Sequence, residues 1–222
     1  APENGSRSSS SATSIERPDD DIAKLCGSRS IHCYRGSESD VLDRFYKTAV
    51  SVKAEIVIRI TGDCPLIDPG VISKLIEYFK LNEYDHCGVA AGAGVAKDKQ
   101  INRFPDGLDA EIFSMKVLAE AWHESVESIQ REHVTPFLWQ QPTRYRIGSL
   151  DSESGDFGHQ RWTLDNQEDF DLIAWIYEML SPGKGSGFGM HDILSLLLEH
   201  PEKQKGNQHL IGEEGYEQFW DK

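Results

Sequence analysis

Apolar positions along the chain alternate between helical and strand spacings, and together they predict an α/β order of elements. A short helix is predicted over Asp19–Cys26 and a short strand over Ser30–Arg35. Gly36-Ser-Glu-Ser-Asp40 then turns into a helix whose buried face is Val41, Leu42, Phe45, Tyr46 and Ala49, with Ser37 or Ser39 as its N-cap. Ile56–Ile60 is β-branched and almost continuously apolar, the pattern of a central strand covered on both faces in a parallel sheet. Gly62 and Pro65 end it, and Asp68-Pro69 starts a helix to about Leu81 with Val71, Ile72, Leu75, Ile76 and Phe79 inward.

The second half continues the alternation. Tyr84–Ala90 reads as a strand, Gly92–Asn102 as a loop, and Pro105-Asp106-Gly107 as a turn feeding a strand that ends near Phe113. Helices follow over about Ser114–Ser125 and about Arg131–Gln140, then a strand over Arg144–Leu150 and a polar loop over Asp151–His159. Arg161–Asp165 reads as a short strand, and Gln167 opens a helix with Phe170, Ile173, Ile176, Tyr177 and Leu180 on its apolar face. Ser181–Gly189 is a glycine-rich linker without a phosphate-cradle spacing, and a helix over about His191–Glu199 precedes a polar tail. The tail aromatics Tyr216, Phe219 and Trp220 are expected to pack across the sheet or against a second subunit, as in a homodimer.

Composition narrows this picture. At 222 residues the chain suffices for one α/β domain over residues 12–222, preceded by a serine-rich flexible tail over residues 1–11. A formal net charge of −14 argues against a nucleic-acid surface, although a bound divalent cation can still draw a phosphorylated substrate to acidic residues. No apolar run is long enough for a membrane span. The four cysteines form neither C-x-x-C pairs nor a secreted framework, so reduced thiols and a cytoplasmic location are expected.

Candidate chemistry lies in acids at strand ends. Asp63 and Asp165 each follow a predicted strand, although Asp63 can equally be read as a carboxylate that only caps its turn. Hard oxygen ligands of this kind suit Mg²⁺, which takes one or two carboxylates and completes its shell with water and phosphate oxygens. Asp109 and Glu111 are expected on one strand face, where they can serve a metal, sugar hydroxyls or water, and water is the default. Arg131 and His133 open the helix over 131–140, where a lone histidine is more often a structural hydrogen-bond partner than a base.

Five stretches in order carry a resemblance. They are Gly36–Arg44, Arg59-Ile-Thr-Gly-Asp-Cys-Pro-Leu-Ile-Asp68, Phe104-Pro-Asp-Gly-Leu-Asp-Ala-Glu111, Arg131-Glu-His-Val-Thr-Pro136 and Arg161-Trp-Thr-Leu-Asp-Asn-Gln-Glu-Asp-Phe170. Together they resemble the spore-coat-polysaccharide type of cytidylyltransferase, relatives of the CMP-sugar synthetases, from about Ala12 to Trp220. The resemblance implies a nucleotide-diphospho-sugar transferase fold, a Rossmann-like mixed and mostly parallel sheet flanked by helices. It implies transfer of a nucleotidyl group from CTP to an acidic or phosphorylated sugar, with Mg²⁺ and release of pyrophosphate. Asp63 and Asp165 match metal-side aspartates of that family, Asp106, Asp109 and Glu111 match the stretch near the sugar, and Arg131 and His133 match a polar cluster beside it. The family's first strand, basic triphosphate loop and first helix have no counterpart before Ala12, so an N-terminally truncated fold is expected. Two alternatives stand beside this reading: a non-catalytic binding or oligomerisation module, and a metal-dependent glycosyltransferase, which would want a D-x-D element that Gly62-Asp63-Cys64-Pro65 does not supply.

Overall fold

The computed structural model describes residues 8–91, 102–185 and 187–211. In chain order its elements begin with β1 (Ser10–Ser14), α1 (Asp20–Ser28), β2 (His32–Gly36), α2 (Val41–Ser51), β3 (Ile56–Arg59), α3 (Pro69–Leu81) and β4 (His86–Val89). Then come β5 (Glu111–Ser114), α4 (Met115–Glu124), α5 (Ser128–His133), α6 (Pro136–Trp139), β6 (Ile147–Leu150), α7 (Gln167–Lys184), α8 (Met190–Glu199) and α9 (Pro201–Gln204). The glycine-containing loop over 92–101 and the tail aromatics Tyr216, Phe219 and Trp220 lie outside the described residues. Two compact units form, one from Ala1–Val57 with Phe113–Tyr145 and the other from Ile58–Ile112 with Arg146–Lys222.

In the first unit β1 pairs in parallel with β2, from Ser10 opposite His32 to Ser14 opposite Gly36, so the strand takes in two serines that composition assigns to the tail. Asp19 ties the end of β1 to the helix that follows, accepting from the Thr13 hydroxyl at 2.6 Å and the Ser14 N–H at 2.7 Å. The N-cap of α2 is Asp40 and not a serine, because Asp40 directly precedes the first helical residue and its carboxylate reaches the Asp43 N–H at 2.9 Å. The one helix expected over Arg131–Gln140 is two. The chain breaks at Val134, whose φ of 72° and ψ of −53° form a γ-turn closed by the Thr135 N–H on the His133 carbonyl at 2.9 Å. Pro136 then starts α6, the position in a helix that proline tolerates. Leu42, Val117, Leu118, Ala121, Val134 and Leu138 form the buried interior here.

The second unit holds the larger core. The four-stranded sheet runs in the order β3-β5-β4-β6, with β4 and β6 parallel from His86 opposite Ile147 to Val89 opposite Leu150. That order corrects the expectation for β3: among the described residues it is an end strand and not a central one. Ile56 at the start of β3 and Ile60 just past its end are 42% and 40% exposed. Leu75 and Phe79 of α3, Ile112 of β5, Ile173 and Ile176 of α7 and Ile193 and Leu197 of α8 close the core around Trp162. On α7 the inward face is Leu172, Ile173 and Ile176 with Asp169, whereas Phe170 is 53% exposed. The helix also runs on to Lys184 through Pro182, well into the expected linker. Asp68 caps α3 as expected, and its second oxygen accepts the Met190 N–H at 2.7 Å, so it caps α8 as well. No helix among the described residues is long and apolar enough to cross a membrane.

Candidate active site

The stretch after β3 folds into two successive turns. The Cys64 N–H bonds the Thr61 carbonyl at 3.3 Å and the Ile67 N–H bonds the Cys64 carbonyl at 3.2 Å, after which Asp68 starts α3. Asp63 sits on the first turn, where its carboxylate accepts from the Thr61 hydroxyl. The main chain around Asp165 is laced to this turn. The Asp63 carbonyl accepts the Leu164 N–H at 2.8 Å and the Thr163 hydroxyl at 3.2 Å. Thr163–Asp165 is therefore held as irregular backbone on the Asp63 turn. The short strand expected over Arg161–Asp165 reduces to a single bridge between Arg161 and Asp106.

That bridge requires Gly107. Its φ is 100°, and a Cβ there would meet the Trp162 carbonyl carbon at 2.5 Å, so any other residue must push the two segments apart. Asp109 folds back to accept the Gly107 N–H at 2.8 Å. It precedes β5 rather than lying on it, so the strand alternation expected for Asp109 and Glu111 does not extend back to Asp109. Burial pushes the Cys64 thiol above its usual range, and the nearby Asp109 charge raises it further, which keeps the sulfur protonated beside Asp63.

Glu111 lies inside the sheet. Its carboxylate meets the Arg59 guanidinium from β3 at 2.9 Å and the His86 Nε2 from β4 at 3.0 Å, a polar ladder across three neighbouring strands. Arg131 and His133 belong to the first unit. Arg131 grips Asp40 with two hydrogen bonds, of 3.0 and 2.6 Å, and donates to the Trp122 carbonyl at 2.8 Å; His133 closes α5 just before the γ-turn.

Beneath the acids is a buried node that the sequence reading did not single out. The Arg161 side chain is 2% exposed and makes a two-pronged contact with the fully buried Asp169, at 3.0 and 2.9 Å. The same guanidinium reaches Asp165 at 2.8 Å and Asp106 at 3.6 Å. Asn207, arriving after α9, donates to Asp169 at 2.8 Å and to the Arg161 carbonyl at 3.0 Å. Burial alone would raise the Asp169 pKa, but hydrogen bonds from Arg161, Asn207 and the Asp165 and Asn166 N–H groups outweigh it and hold the carboxyl below its ordinary value. In the sequence Asp169 lies within the family-like stretch Arg161–Phe170 and three residues after Asn166, where it completes a capping box for α7. Asp106, Asp165 and Asp169 thus share one arginine, with Asp63 on the adjoining turn and Asp109 near Cys64.

Residues 10–181 match the family model described as cytidylyltransferase. The chain belongs to the cytidylyltransferase family. Among curated relatives, the chain is 36% identical over 164 residues to an uncharacterized protein of Methanocaldococcus jannaschii, a match that takes in 72% of the chain and 62% of the relative. It is 28% identical over 195 residues to the spore coat polysaccharide biosynthesis protein SpsF of Bacillus subtilis, with 86% and 75% of the two chains covered. Among solved structures, a cytidylyltransferase from Leptospira borgpetersenii serovar Hardjo-bovis superposes with a TM-score of 0.75 at 21% identity, covering 86% of this chain and 76% of that one. The mixed α/β architecture with helices flanking its sheets is the fold of that cytidylyltransferase.

Proposed function

We propose that this cytidylyltransferase-family chain transfers a cytidylyl group from CTP to an acidic or phosphorylated sugar. An oxygen of the acceptor attacks the α-phosphorus and forms a new P–O bond. The bond from that phosphorus to the bridging oxygen breaks, and pyrophosphate leaves. The observation that carries the reading is the hydrogen bond from the Leu164 N–H to the Asp63 carbonyl, which ties the Asp63 turn to the segment bearing Asp165. The saccharide acceptor is supported by the name of the spore-coat relative.

Mg²⁺ is bound by one or two carboxylates with water and substrate phosphates, and a hydrated ion of this kind is the cofactor proposed. Asp63 and Asp165 would hold it, the latter with a side chain 45% exposed and open to water. When bound, the ion neutralises charge on the triphosphate and on the departing pyrophosphate. Asp109 and Asp106 are the nearby acids that would meet sugar hydroxyls. Glu111 is proposed to orient Arg59 and His86. A cytoplasmic location accords with four free cysteines.

Pyrophosphate release from CTP with Mg²⁺ and a panel of sugar acids and sugar phosphates tests this reading. Release is expected to require one class of acceptor. In Asp63→Asn it should fall on the order of a hundredfold or more, because neutralising charge is lost at the phosphates, while the melting temperature changes little. Release without an acceptor preference, or equal rates in parent and variant, would rule the proposal out.

A further inference from the structure

We infer that Arg161 is a positioning residue for the proposed transfer, its guanidinium aiming the Asp165 and Asp106 carboxylates while Asp169 and Asn207 hold the guanidinium still. The inference rests on the cytidylyl-transfer reading and concerns residues that never need to touch substrate.

Three observations carry it. The first is geometry. A guanidinium presents its donors in a fixed plane, and here Nε and Nη2 are both taken by Asp169, at 3.0 and 2.9 Å. With the plane set, the direction in which Nη2 also meets Asp165 at 2.8 Å, and Nη1 faces Asp106 at 3.6 Å, is set too. The second is charge. Three carboxylates crowd one arginine that is 2% exposed, so the two outer acids would repel one another and turn to water if the cation moved. Asp165 shows the result: its side chain is 45% exposed yet held by its inner oxygen, as a group meant to meet a ligand from the solvent side would be. The third is the backing. The fully buried Asp169 receives the Asn207 amide at 2.8 Å and the backbone N–H groups of Asp165 and Asn166 at 3.1 and 3.0 Å. These bonds satisfy the inner carboxylate without using the side chain of Asp165 or of Asp106.

A purely structural ion pair would make different predictions. It would stabilise the unit, and its loss would lower the melting temperature without altering the grip of the outer acids on a cation. The test uses the intact protein and two variants. Arg161→Lys keeps the charge and loses the fork, and Asn207→Ala leaves the ion pair and loses its support. Mn²⁺, followed by electron paramagnetic resonance, serves as the probe for the divalent site, beside kcat and KM for CTP and circular dichroism for folding. In Arg161→Lys, Mn²⁺ affinity is expected to fall about tenfold and kcat by at least as much, with KM for CTP within about threefold of the parent. Asn207→Ala should move Mn²⁺ affinity and kcat in the same direction by a smaller factor, and it keeps the test open if the lysine variant does not fold. Folded variants with parental Mn²⁺ affinity and kcat would overturn the positioning role while leaving the activity in place. A parent that binds Mn²⁺ but releases no pyrophosphate with any acceptor would overturn the transfer reading itself, and the positioning role for that transfer with it.

Discussion

Asp169 is fully buried, and its carboxylate faces a guanidinium that is itself almost fully buried. Removing one partner of such a pair strands the other charge, so Asp169→Asn is expected to destabilise the second unit by about 3–5 kcal/mol. The pH dependence follows from the depressed pKa. An unfolded aspartate titrates near 3.8 and the folded one lower, so its stabilising contribution is fully present above 3.8 and disappears as pH falls through the folded value. Urea unfolding of parent and Asn variant should therefore show a constant gap at neutral and mildly acidic pH that narrows below pH 3.8. A gap already closing near neutrality would contradict the assignment. In the sequence, Asp63 was legible because glycine and proline punctuate the strand it follows. Arg161, Asp169 and Asn207 were not, because their partnership links positions 8 and 38 apart in the chain and follows neither helical nor strand period. Glu111 was visible as an acid, but its partners Arg59 and His86 come from other strands that no local pattern relates to it.

Asp68 joins α3, which it directly precedes, to α8, whose first residue lies 122 positions further on, with one oxygen on the Gly70 N–H at 2.6 Å and the other on the Met190 N–H at 2.7 Å. Gly189 lets α8 come this close, since a Cβ there would meet the Asp68 Oδ2 at 2.7 Å. An ordinary N-cap substitution costs about 1 kcal/mol, so Asp68→Ala, which uncaps two helices, is expected to cost about 2 kcal/mol, measured by chemical unfolding. A loss of only a few tenths would mean that the α8 contact contributes nothing. Elements with local signals were legible: α3 from Asp68-Pro69 and its apolar spacing, and α2 from spacing. Those decided by tertiary contacts were not. The helix over 131–140 broke at a buried valine in a γ-turn, and residues 161–165 gave up strand pairing for hydrogen bonds to the Asp63 turn.

Across the whole chain the dominant quantity is charge, −14 in formal terms with a pI near 4.9. Self-repulsion of that size weakens the folded state at low salt, and screening relieves it. Raising ionic strength from about 0.01 to about 0.15 M shortens the screening length from about 30 to about 8 Å and should raise the melting temperature by a few degrees. A decrease would show that solvent-exposed ion pairs such as Lys74 with Glu153 outweigh the general repulsion. Asn207 bears on the whole molecule in another way. The match to the family ends at residue 181, yet an amide 26 positions further on completes the hydrogen bonding of a carboxylate in the middle of the second unit. An expression boundary drawn where the similarity stops would thus remove a piece of the interior along with α8 and α9, and the shortened polypeptide would be expected to enter inclusion bodies. The downstream limit of the smallest soluble, folded piece of this chain is expected to lie beyond Asn207, which a series of C-terminal truncations scored by soluble yield checks.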